Sequence, residues 1–349
     1  MTARTGISCA VALVVVLALS GCASAPRGGV ERHPVWPAPP ASPRIAHRLT
    51  VNSNADLGEP SFFENVGALF VGRREQKLLR PQGIDVLGDE LLLVTDQERQ
   101  LVHLFELGSN ESRVIDRAGD TYLISPVDVA ACGDRIAVSD SDLNAVFLFD
   151  VEGEMAGRLE KPGGFRRPTG LAWDAQTELL WVVDTLSNEV CAFELSGALR
   201  RRFGSGGTDF GQFNYPTYVC VGPGGRIYVT DSLNFRVQAF DRRGNYQFHI
   251  GELGDASGYL AVPKGVAVDR HGHIYVADSY FSVIQVFDRE GRLLLSFGGL
   301  GSGPGQFRVP TGLASDGRER IYVSDSFNRS VQVFDYVGEE TNEAPTDAP

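Results

Sequence analysis

The chain repeats one sequence pattern six times, and this repeat constrains the fold more than any other feature. Each copy has a proline, a short apolar run, a second apolar run that ends in aspartate, and an aromatic residue nine positions later. Successive aspartates are 44, 44, 47, 47 and 47 residues apart. A strand-rich repeat with a period in this range is typical of β-propeller blades. The prolines are Pro81, Pro126, Pro168, Pro216, Pro263 and Pro310; the aspartates are Asp96, Asp140, Asp184, Asp231, Asp278 and Asp325; the aromatic residues are Phe105, Phe149, Phe193, Phe240, Phe287 and Phe334.

Each of the first five copies contains enough β-rich runs for one four-stranded antiparallel blade. In the fifth copy these runs are residues 265–269, 274–278, 284–288 and 293–297, with glycine-containing turns after the first and third. We therefore predict an all-β fold, a six-bladed β-propeller whose last blade is closed by an N-terminal strand. The sixth copy lacks a fourth run, and residues 66–72 resemble it. We expect residues 68–71 to supply this outer strand, because such closure protects the edge of the sheet.

The first 22 residues have the pattern of an export signal. Arg4 precedes an apolar run of thirteen residues, 7–19, which is shorter than the roughly twenty needed to span a bilayer. The run ends in Leu19-Ser20-Gly21-Cys22, which resembles the lipobox of bacterial lipoproteins. That resemblance implies lipidation of Cys22 and, because Ala23 rather than aspartate follows, sorting to the outer membrane of a diderm bacterium. The alternative is an ordinary signal peptide with a chance cysteine.

Four segments follow from these patterns. Residues 1–21 are the predicted signal peptide, 22–64 a proline-rich tether, 65–338 the propeller and 339–349 an acidic, disordered tail. Prolines in the tether favour an extended chain. We expect Trp36 in this segment to pack on the flank of the propeller. The lipid anchor is the only membrane contact that the sequence predicts.

Charge and cysteine content narrow the function further. The formal net charge is −12 at pH 7, and an acidic chain lacks the basic surface that nucleic acids need. Three cysteines remain beyond Cys22: Cys132, Cys191 and Cys220. They lie in different copies without the spacing of a metal or haem site, so we expect buried free thiols.

The best copies resemble the NHL repeat. The resemblance is carried by Asp231-Ser232-Leu233-Asn234-Phe235-Arg236-Val237, by Asp325-Ser326-Phe327-Asn328-Arg329, and by loops that end in Gly211-Gln212-Phe213 and Gly305-Gln306-Phe307. It covers residues 65–338 and implies a six-bladed propeller. Copies one and two match the pattern less well. Such a fold hosts unrelated functions, so it implies little about activity.

Several motifs that suggest metal chemistry are better explained by the repeat. The six aspartates occur in every copy, and a short carboxylate at a turn accepts backbone N–H bonds. Asp140-Ser141-Asp142-Leu143-Asn144 starts like a calcium loop, but Ala145 and Val151 replace the glycine and glutamate that such a loop requires. His271-Gly272-His273 falls at the turn between the first and second strands, which predicts a solvated turn.

The resemblance also includes enzymes. Some NHL propellers are peptidyl-hydroxyglycine lyases, and related six-bladed propellers are lactonases, and both classes imply a central metal. No histidine of this chain starts a first strand, which disfavours the lyase. A lactonase-like hydrolase stays open because Asp128 and asparagines can approach the axis. Calcium is the cofactor that this alternative would use; otherwise we expect no cofactor.

Departures from the repeat are the better guide to a binding site. Asp128 and Tyr218 stand where the repeat prefers glycine at the start of a first strand, and Lys264 stands beside that position. Asp85 is a further departure. Exposed aromatic residues and arginines on one rim are typical of recognition surfaces, although ordinary turn packing between blades is the alternative. The loops expected on the same face contribute Arg99, Phe235, Arg236, Tyr280, Phe281, Phe327 and Arg329.

The sequence thus predicts an exported, lipid-anchored propeller that is more plausibly a binding module than an enzyme. The expected partner is an envelope protein, peptide or glycan, held by the face that bears Tyr218, Lys264 and Phe281. The alternative is a metal-dependent hydrolase or lyase that uses the axial channel.

Overall fold

A computed structural model describes residues 33–42, 44–58 and 75–338. Within these ranges the chain forms six antiparallel sheets that are the blades of a propeller, together with one two-stranded hairpin. Each first strand contacts the first strand of the next blade, and that of blade 6 contacts that of blade 1, which closes the ring. The predicted all-β, six-bladed fold is confirmed.

The strands follow the repeat in chain order, from the innermost strand to the outermost. Blades 1 to 3 are Pro81–Leu87, Leu91–Asp96, Leu101–Glu106 and Ser112–Ile115; Pro126–Cys132, Arg135–Asp140, Ala145–Asp150 and Met155–Leu159; Pro168–Asp174, Leu179–Asp184, Glu189–Phe193 and Leu199–Phe203. Blades 4 and 5 are Pro216–Val221, Ile227–Asp231, Arg236–Phe240 and Tyr246–Ile250; Pro263–Val268, Ile274–Asp278, Val283–Phe287 and Leu293–Gly298. Blade 6 contains Pro310–Ser315, Arg320–Asp325 and Ser330–Tyr336.

The described residues also form several short elements. The hairpin between blades 1 and 2 is Arg117–Ala118 with Thr121–Tyr122. The 3-10 turns are Asn54–Asp56, Thr185–Ser187, Pro223–Gly225 and Ser232–Asn234. No helix in the described ranges is long and apolar enough to cross a membrane.

An N-terminal strand closes blade 6, as predicted, but it is not residues 68–71. Strand Ile45–Val51 pairs antiparallel with Ser330–Tyr336 and therefore occupies the outer position, and Val35–Trp36 adds a fifth strand. Ile45 and Val51 are buried, so this strand has an apolar face for the core. Residues 66–72 lie outside the described ranges. The predicted tether, 22–64, therefore contains strands of the propeller.

Trp36 packs on the flank of blade 6, as expected. Its ring lies 5.7 Å from that of Phe297 and 6.0 Å from that of Phe334. A Cβ atom at Gly305 would lie 2.2 Å from the Trp36 ring, so a glycine is needed under the indole. The signal peptide, Cys22 and the acidic tail 339–349 lie outside the described residues.

The core consists of apolar clusters between neighbouring blades. Trp181 and Val183 of blade 3, for example, pack with Val229 and Phe240 of blade 4. The six aromatic residues of the repeat are all buried. Full burial of one such ring is worth about 1.5–3 kcal/mol, so the repeat places one anchor in every blade. Cys132 and Cys191 are buried free thiols as predicted, whereas Cys220 is half-buried.

The six aspartates of the repeat hold turns, as the sequence analysis predicts. Each is fully buried, and each carboxylate accepts backbone N–H bonds from the loop that precedes its blade. Asp278, for example, accepts bonds from the backbone nitrogens of Ala261 at 2.7 Å and Val262 at 3.2 Å. Asp140 is the first residue of the calcium-like motif. Its carboxylate accepts the corresponding hydrogen bonds from the backbone nitrogens of Ile124 and Ser125. His273 Nδ1 donates to Asp269 Oδ2 at 2.8 Å, within a turn.

Candidate functional site

One face of the propeller carries the two sets of loops that the sequence analysis singled out. The proline that begins each first strand pairs with the aspartate that ends the second strand, as in Pro81 with Asp96 and Pro310 with Asp325. These residues therefore lie at the same end of every blade. We call this end the proline face, defined by the six prolines and the loops after the six aspartates.

The loops after the aspartates share one backbone conformation. The fourth residue after each aspartate is left-handed, with φ between 50° and 58°. Asparagine tolerates this conformation, but Phe235 and Arg329 adopt it at a steric cost. The common turn places the second residue after each aspartate at the same position on every blade. The left-handed residues are Gln100, Asn144, Asn188, Phe235, Ser282 and Arg329.

The second residue after the aspartate is apolar and exposed in four neighbouring blades. Leu186 is 43% exposed, Leu233 53%, Tyr280 71% and Phe327 65%. In blades 1 and 2 the same position holds Glu98 and Asp142. We call the four apolar residues the apolar arc. Contiguous exposed apolar patches are typical of interaction sites, whereas single exposed apolar residues are ordinary.

Exposed apolar side chains are concentrated on the proline face as a whole. Among the described residues, fifteen large apolar side chains are exposed, and eleven of them belong to this face or to the loops that lead into it. Asn328 donates to the Gly301 carbonyl at 2.9 Å, which holds one such loop against the arc. The eleven are Tyr122, Ile124, Leu186, Phe210, Leu233, Leu253, Tyr259, Val262, Tyr280, Leu300 and Phe327.

Cations without ion-pair partners adjoin the strand ends of this face. In the four residues after each aspartate and the two positions on either side of each proline there are seven cations and three carboxylates, Glu98, Asp128 and Asp142. None of the seven takes part in an ion pair with a described residue; at the opposite end some cations are paired, such as Arg242 with Asp174, and others, such as Arg243, are not. The seven are Arg80, Arg99, Arg166, Arg167, Lys264, Arg308 and Arg329.

Most of the predicted loop residues lie on the proline face. Tyr280, Phe327 and Arg329 are exposed, and Arg99, Phe235, Phe281 and Lys264 are half-buried. Burial lowers the pKa of Lys264. Leu186 and Leu233 were not predicted; the alignment of the six copies could have found them, since they share the position of Tyr280 and Phe327.

The expected exposure of Arg236 is wrong. Its side chain is buried, and its Nε donates to Asp231 Oδ2 at 2.9 Å. Its Nη2 donates to the backbone oxygens of Asp209 at 2.8 Å and Gln212 at 3.1 Å. The guanidinium therefore fastens a loop to the blade and is not available to a partner.

Asp128 and Tyr218 lie inside the channel, apart from the apolar arc. Together with Asp85 they line a cavity of about 170 Å³ on the propeller axis. We call it the axial cavity; its lining comes from the first strands of all six blades, with Trp173 and Leu313 among the larger members. The residues predicted to form one site thus lie in two places, the proline face and the axial cavity.

Glycines at the start of the first strands explain the position of Asp128 and Tyr218. A Cβ atom at Gly312 would lie 2.3 Å from the Gln82 carbonyl oxygen, and one at Gly265 would lie 2.4 Å from that of Thr311. The backbones of neighbouring blades are in close contact at this position of the first strand. A side chain therefore fits there only where the equivalent residue of the next blade is a glycine. Around the ring, Asp128 and Tyr218 each stand between two glycine-bearing blades: the order is Gly83, Asp128, Gly170, Tyr218, Gly265 and Gly312.

The two carboxyl groups of the cavity bridge neighbouring strands. Asp85 accepts backbone N–H bonds from Val86 and from Ala131 of blade 2, both at 2.8 Å. Asp128 does the same with Val129 at 3.0 Å and with Leu171 of blade 3 at 2.9 Å.

Burial dominates the acidity of this pair. It raises the pKa of Asp85 to about 6 and that of Asp128 to about 8, against the effect of the backbone N–H bonds. The negative charge of Asp85 raises the pKa of Asp128 further. Burial and the charge of Asp128 also raise the pKa of Tyr218, so its hydroxyl stays protonated.

The donor set of the cavity does not fit the calcium of a lactonase. Calcium takes six to eight oxygen ligands. The cavity offers two carboxyl groups, whose four oxygens are fewer than six, and each oxygen gives one acceptor site to a backbone N–H group. No group of three or more histidine, cysteine, aspartate or glutamate side chains with metal-binding geometry occurs among the described residues.

Comparison with known proteins supports the fold. NHL repeats match residues 213–240 and 260–287. Similar solved structures include a protein of unknown function from Bacteroides thetaiotaomicron (TM-score 0.60, 16% identity, 74% of this chain and 70% of that chain) and a gluconolactonase from Xanthomonas campestris (0.57, 15%, 83% and 98%). Another is virginiamycin B lyase from Staphylococcus aureus (0.53, 12%, 74% and 95%). No curated protein matches the sequence.

The chain is therefore a six-bladed β-propeller. More particularly, it is a propeller that contains NHL repeats, in blades 4 and 5. The identities to the solved structures are low, so these similarities extend to the fold alone.

Proposed function

We propose that this propeller is a non-catalytic binding module whose partner is a protein or peptide segment, with a glycan as the other partner class. The observation that carries the proposal is the apolar arc, flanked by cations without ion-pair partners. Aromatic and arginine side chains dominate the binding energy of many interfaces. A rigid scaffold that presents variable loops is suited to such a role.

The chemistry of the face favours a segment with acidic and apolar side chains. Tyr280 and Phe327 offer exposed rings, and the cations around the strand ends lack carboxylate partners within the described chain. Charge complementarity of this kind selects the partner and its register. Lys264 is half-buried, and burial lowers its pKa. A carboxylate of the partner beside it would replace the water that its ammonium group lost on burial.

A peptide library tests this proposal. Random dodecapeptides displayed on phage and selected on the purified protein should be enriched in carboxylates next to aromatic residues or leucine. For the best peptide, the double variant Y280S/F327S should raise Kd at least thirtyfold, because two hot-spot side chains contribute about 2 kcal/mol or more. Fluorescence anisotropy measures Kd, and the K264E variant should raise it at least about tenfold.

Matched variants separate the face from the rest of the surface. Leu294 is exposed on the outer strand of blade 5, and Arg243 is a cation in a turn of the opposite face. The L294S and R243E variants should leave Kd unchanged. Equal losses in the face and control variants, or selection of peptides without carboxylates, would contradict the proposal.

We also propose that Cys22 anchors the protein to the cell envelope, in the outer membrane of a diderm bacterium. The support is the sequence pattern around Leu19-Ser20-Gly21-Cys22, since several acyl chains anchor a protein stably. Cells grown with an alkyne fatty acid should label the natural protein and not the C22S variant, whereas C191S should label normally. Labelling of C22S to the natural level would exclude this anchor.

The alternative function, a metal-dependent hydrolase or lyase, has weaker support. It rests on the fold shared with the gluconolactonase and the virginiamycin B lyase. Shared fold does not imply shared function. The oxygen donors of the axial cavity are too few for the metal that this chemistry requires, so we derive no reaction step from it.

A further inference from the structure

The axial cavity is polar on one side and aromatic on the next. Blades 1 and 2 contribute the carboxyl groups of Asp85 and Asp128, and blades 3 and 4 contribute the rings of Trp173 and Tyr218. Blades 5 and 6 contribute mainly aliphatic side chains, including Val266 and Leu313. Carboxyl groups next to aromatic rings are the surroundings that organic cations prefer.

The two carboxyl groups have acceptor capacity left. An ionised carboxylate offers about four acceptor sites and a protonated one keeps part of this capacity, and Asp85 and Asp128 each use one site per oxygen for backbone N–H bonds. The remaining sites have no hydrogen-bond donor among the described residues. These sites are open to donors from water or from a bound molecule.

Tyr218 gives an independent indication of a ligand. Its side chain is 8% exposed and lines the cavity, and its hydroxyl makes no hydrogen bond with any described residue. The oxygen is not among the fully enclosed unpartnered atoms of the described residues, so it is open to the cavity and available to a hydrogen-bond partner there. The raised pKa keeps the hydroxyl protonated, and a neutral hydroxyl can both donate and accept a hydrogen bond.

The size of the cavity limits the ligand. Its volume is about 170 Å³, and an apolar cavity of about 150 Å³ is large enough for benzene. A molecule with one ring and a short polar group therefore fits, whereas a peptide does not. This separates the cavity from the peptide-binding role of the proline face.

We propose that the axial cavity binds a small primary amine in its ammonium form, with a ring-sized apolar group. The ammonium N–H groups donate to the open acceptor sites of Asp85 and Asp128 and to the Tyr218 hydroxyl. The apolar group packs on Trp173 and the aliphatic side chains. The proposal does not rest on the function of the proline face, since the residues of the two sites are different.

Three related probes test the need for N–H donors and charge. Isothermal titration calorimetry with benzylamine, benzyl alcohol and benzyltrimethylammonium at one pH and ionic strength measures affinity. Benzylamine should bind at least about tenfold more tightly than benzyl alcohol, because a charged donor adds roughly 1.5 kcal/mol or more. It should also bind more tightly than benzyltrimethylammonium, which has no N–H group.

Variants assign the site and keep the proposal falsifiable. D85N should weaken benzylamine at least tenfold, and Y218F should weaken it about threefold to tenfold, while D142N, an exposed carboxylate on the proline face, should have no effect. If D85N does not fold, Y218F and W173L decide the matter. No binding of benzylamine at about 10 mM, equal binding of the alcohol, or equal affinity in all variants would overturn the proposal.

Discussion

Replacing Lys161 by methionine should destabilise the propeller by about 3–5 kcal/mol. Lys161 is buried, and its Nζ contacts Asp184 Oδ2 and, at 3.1 Å, Glu189 Oε2. Burial alone would lower the pKa of Lys161, but the hydrogen bonds to Asp184 and Glu189 raise it. The lysine is therefore charged, and its removal leaves the fully buried Asp184 without a counter-charge.

Chemical denaturation of the purified variants measures this loss. Arg166 lies in the same loop, is exposed and has no ion pair among the described residues, so R166M is the matched control and should change stability by less than about 0.5 kcal/mol. The double variant K161M/D184N should recover part of the loss. A loss below about 1 kcal/mol in K161M would show that the backbone N–H groups of Arg166 and Arg167 are sufficient for Asp184.

The repeat made the blades predictable because one physical requirement recurs in each. Every blade needs a carboxylate to hold the preceding loop and a buried ring nine residues later, and both leave the same spacing in the sequence. Lys161, which contacts Asp184, is not part of this repeated pattern. Lys161 reaches its partner from the preceding inter-blade loop, so neither its burial nor its role follows from local spacing.

The strand that closes blade 6 shows a different limit. The sequence predicts residues 68–71 for this strand, because residues 66–72 precede the first copy and resemble a fourth run, whereas Ile45–Val51 lies in the predicted tether. His47 and Arg48 interrupt the apolar alternation of the true strand, yet His47 is buried against Phe334, with ring centroids 5.5 Å apart. Contacts with the far end of the chain, which a local pattern cannot show, select this strand.

The candidate site was predictable in part for the same reason. Tyr280 and Phe327 were predicted from the position of their loops on the face. Asp128 and Tyr218 were predicted as departures from the repeat, which remain visible when the scaffold residues are set aside, but the sequence placed them on the face. Their position in the cavity depends on the close approach of neighbouring backbones at Gly83, Gly170, Gly265 and Gly312, which becomes apparent only when the ring is assembled.

The natural protein should lose about 4 kcal/mol of stability relative to the D128N variant between pH 4.5 and pH 8. The pKa of Asp128 is raised from 3.8 to about 8, mainly by burial. Between these values the folded state keeps a proton that the unfolded state has lost. Raising the pH therefore favours the unfolded state, and the stability falls until the pH reaches the folded pKa.

The difference between the two proteins isolates Asp128 from other titrating groups. Histidines with lowered pKa, such as His47 and His103, act in the opposite direction below pH 6.5, but they are the same in both proteins and cancel. Asp85 lies on the neighbouring blade, and its charge contributes to the raised pKa of Asp128. The Tyr218 hydroxyl stays neutral throughout this range.

Urea denaturation at half-unit pH intervals gives the free energy of unfolding of each protein. The exposed Asp142 provides the control: the curve of D142N should run parallel to that of the natural protein, and the curve of D128N should be flatter above pH 4.5. D85N should be intermediate, since the pKa of Asp85 is raised only to about 6. A difference between the natural protein and D128N that does not change with pH would mean that Asp128 is ionised in the folded state throughout, and that the cavity is better hydrated than its lining indicates.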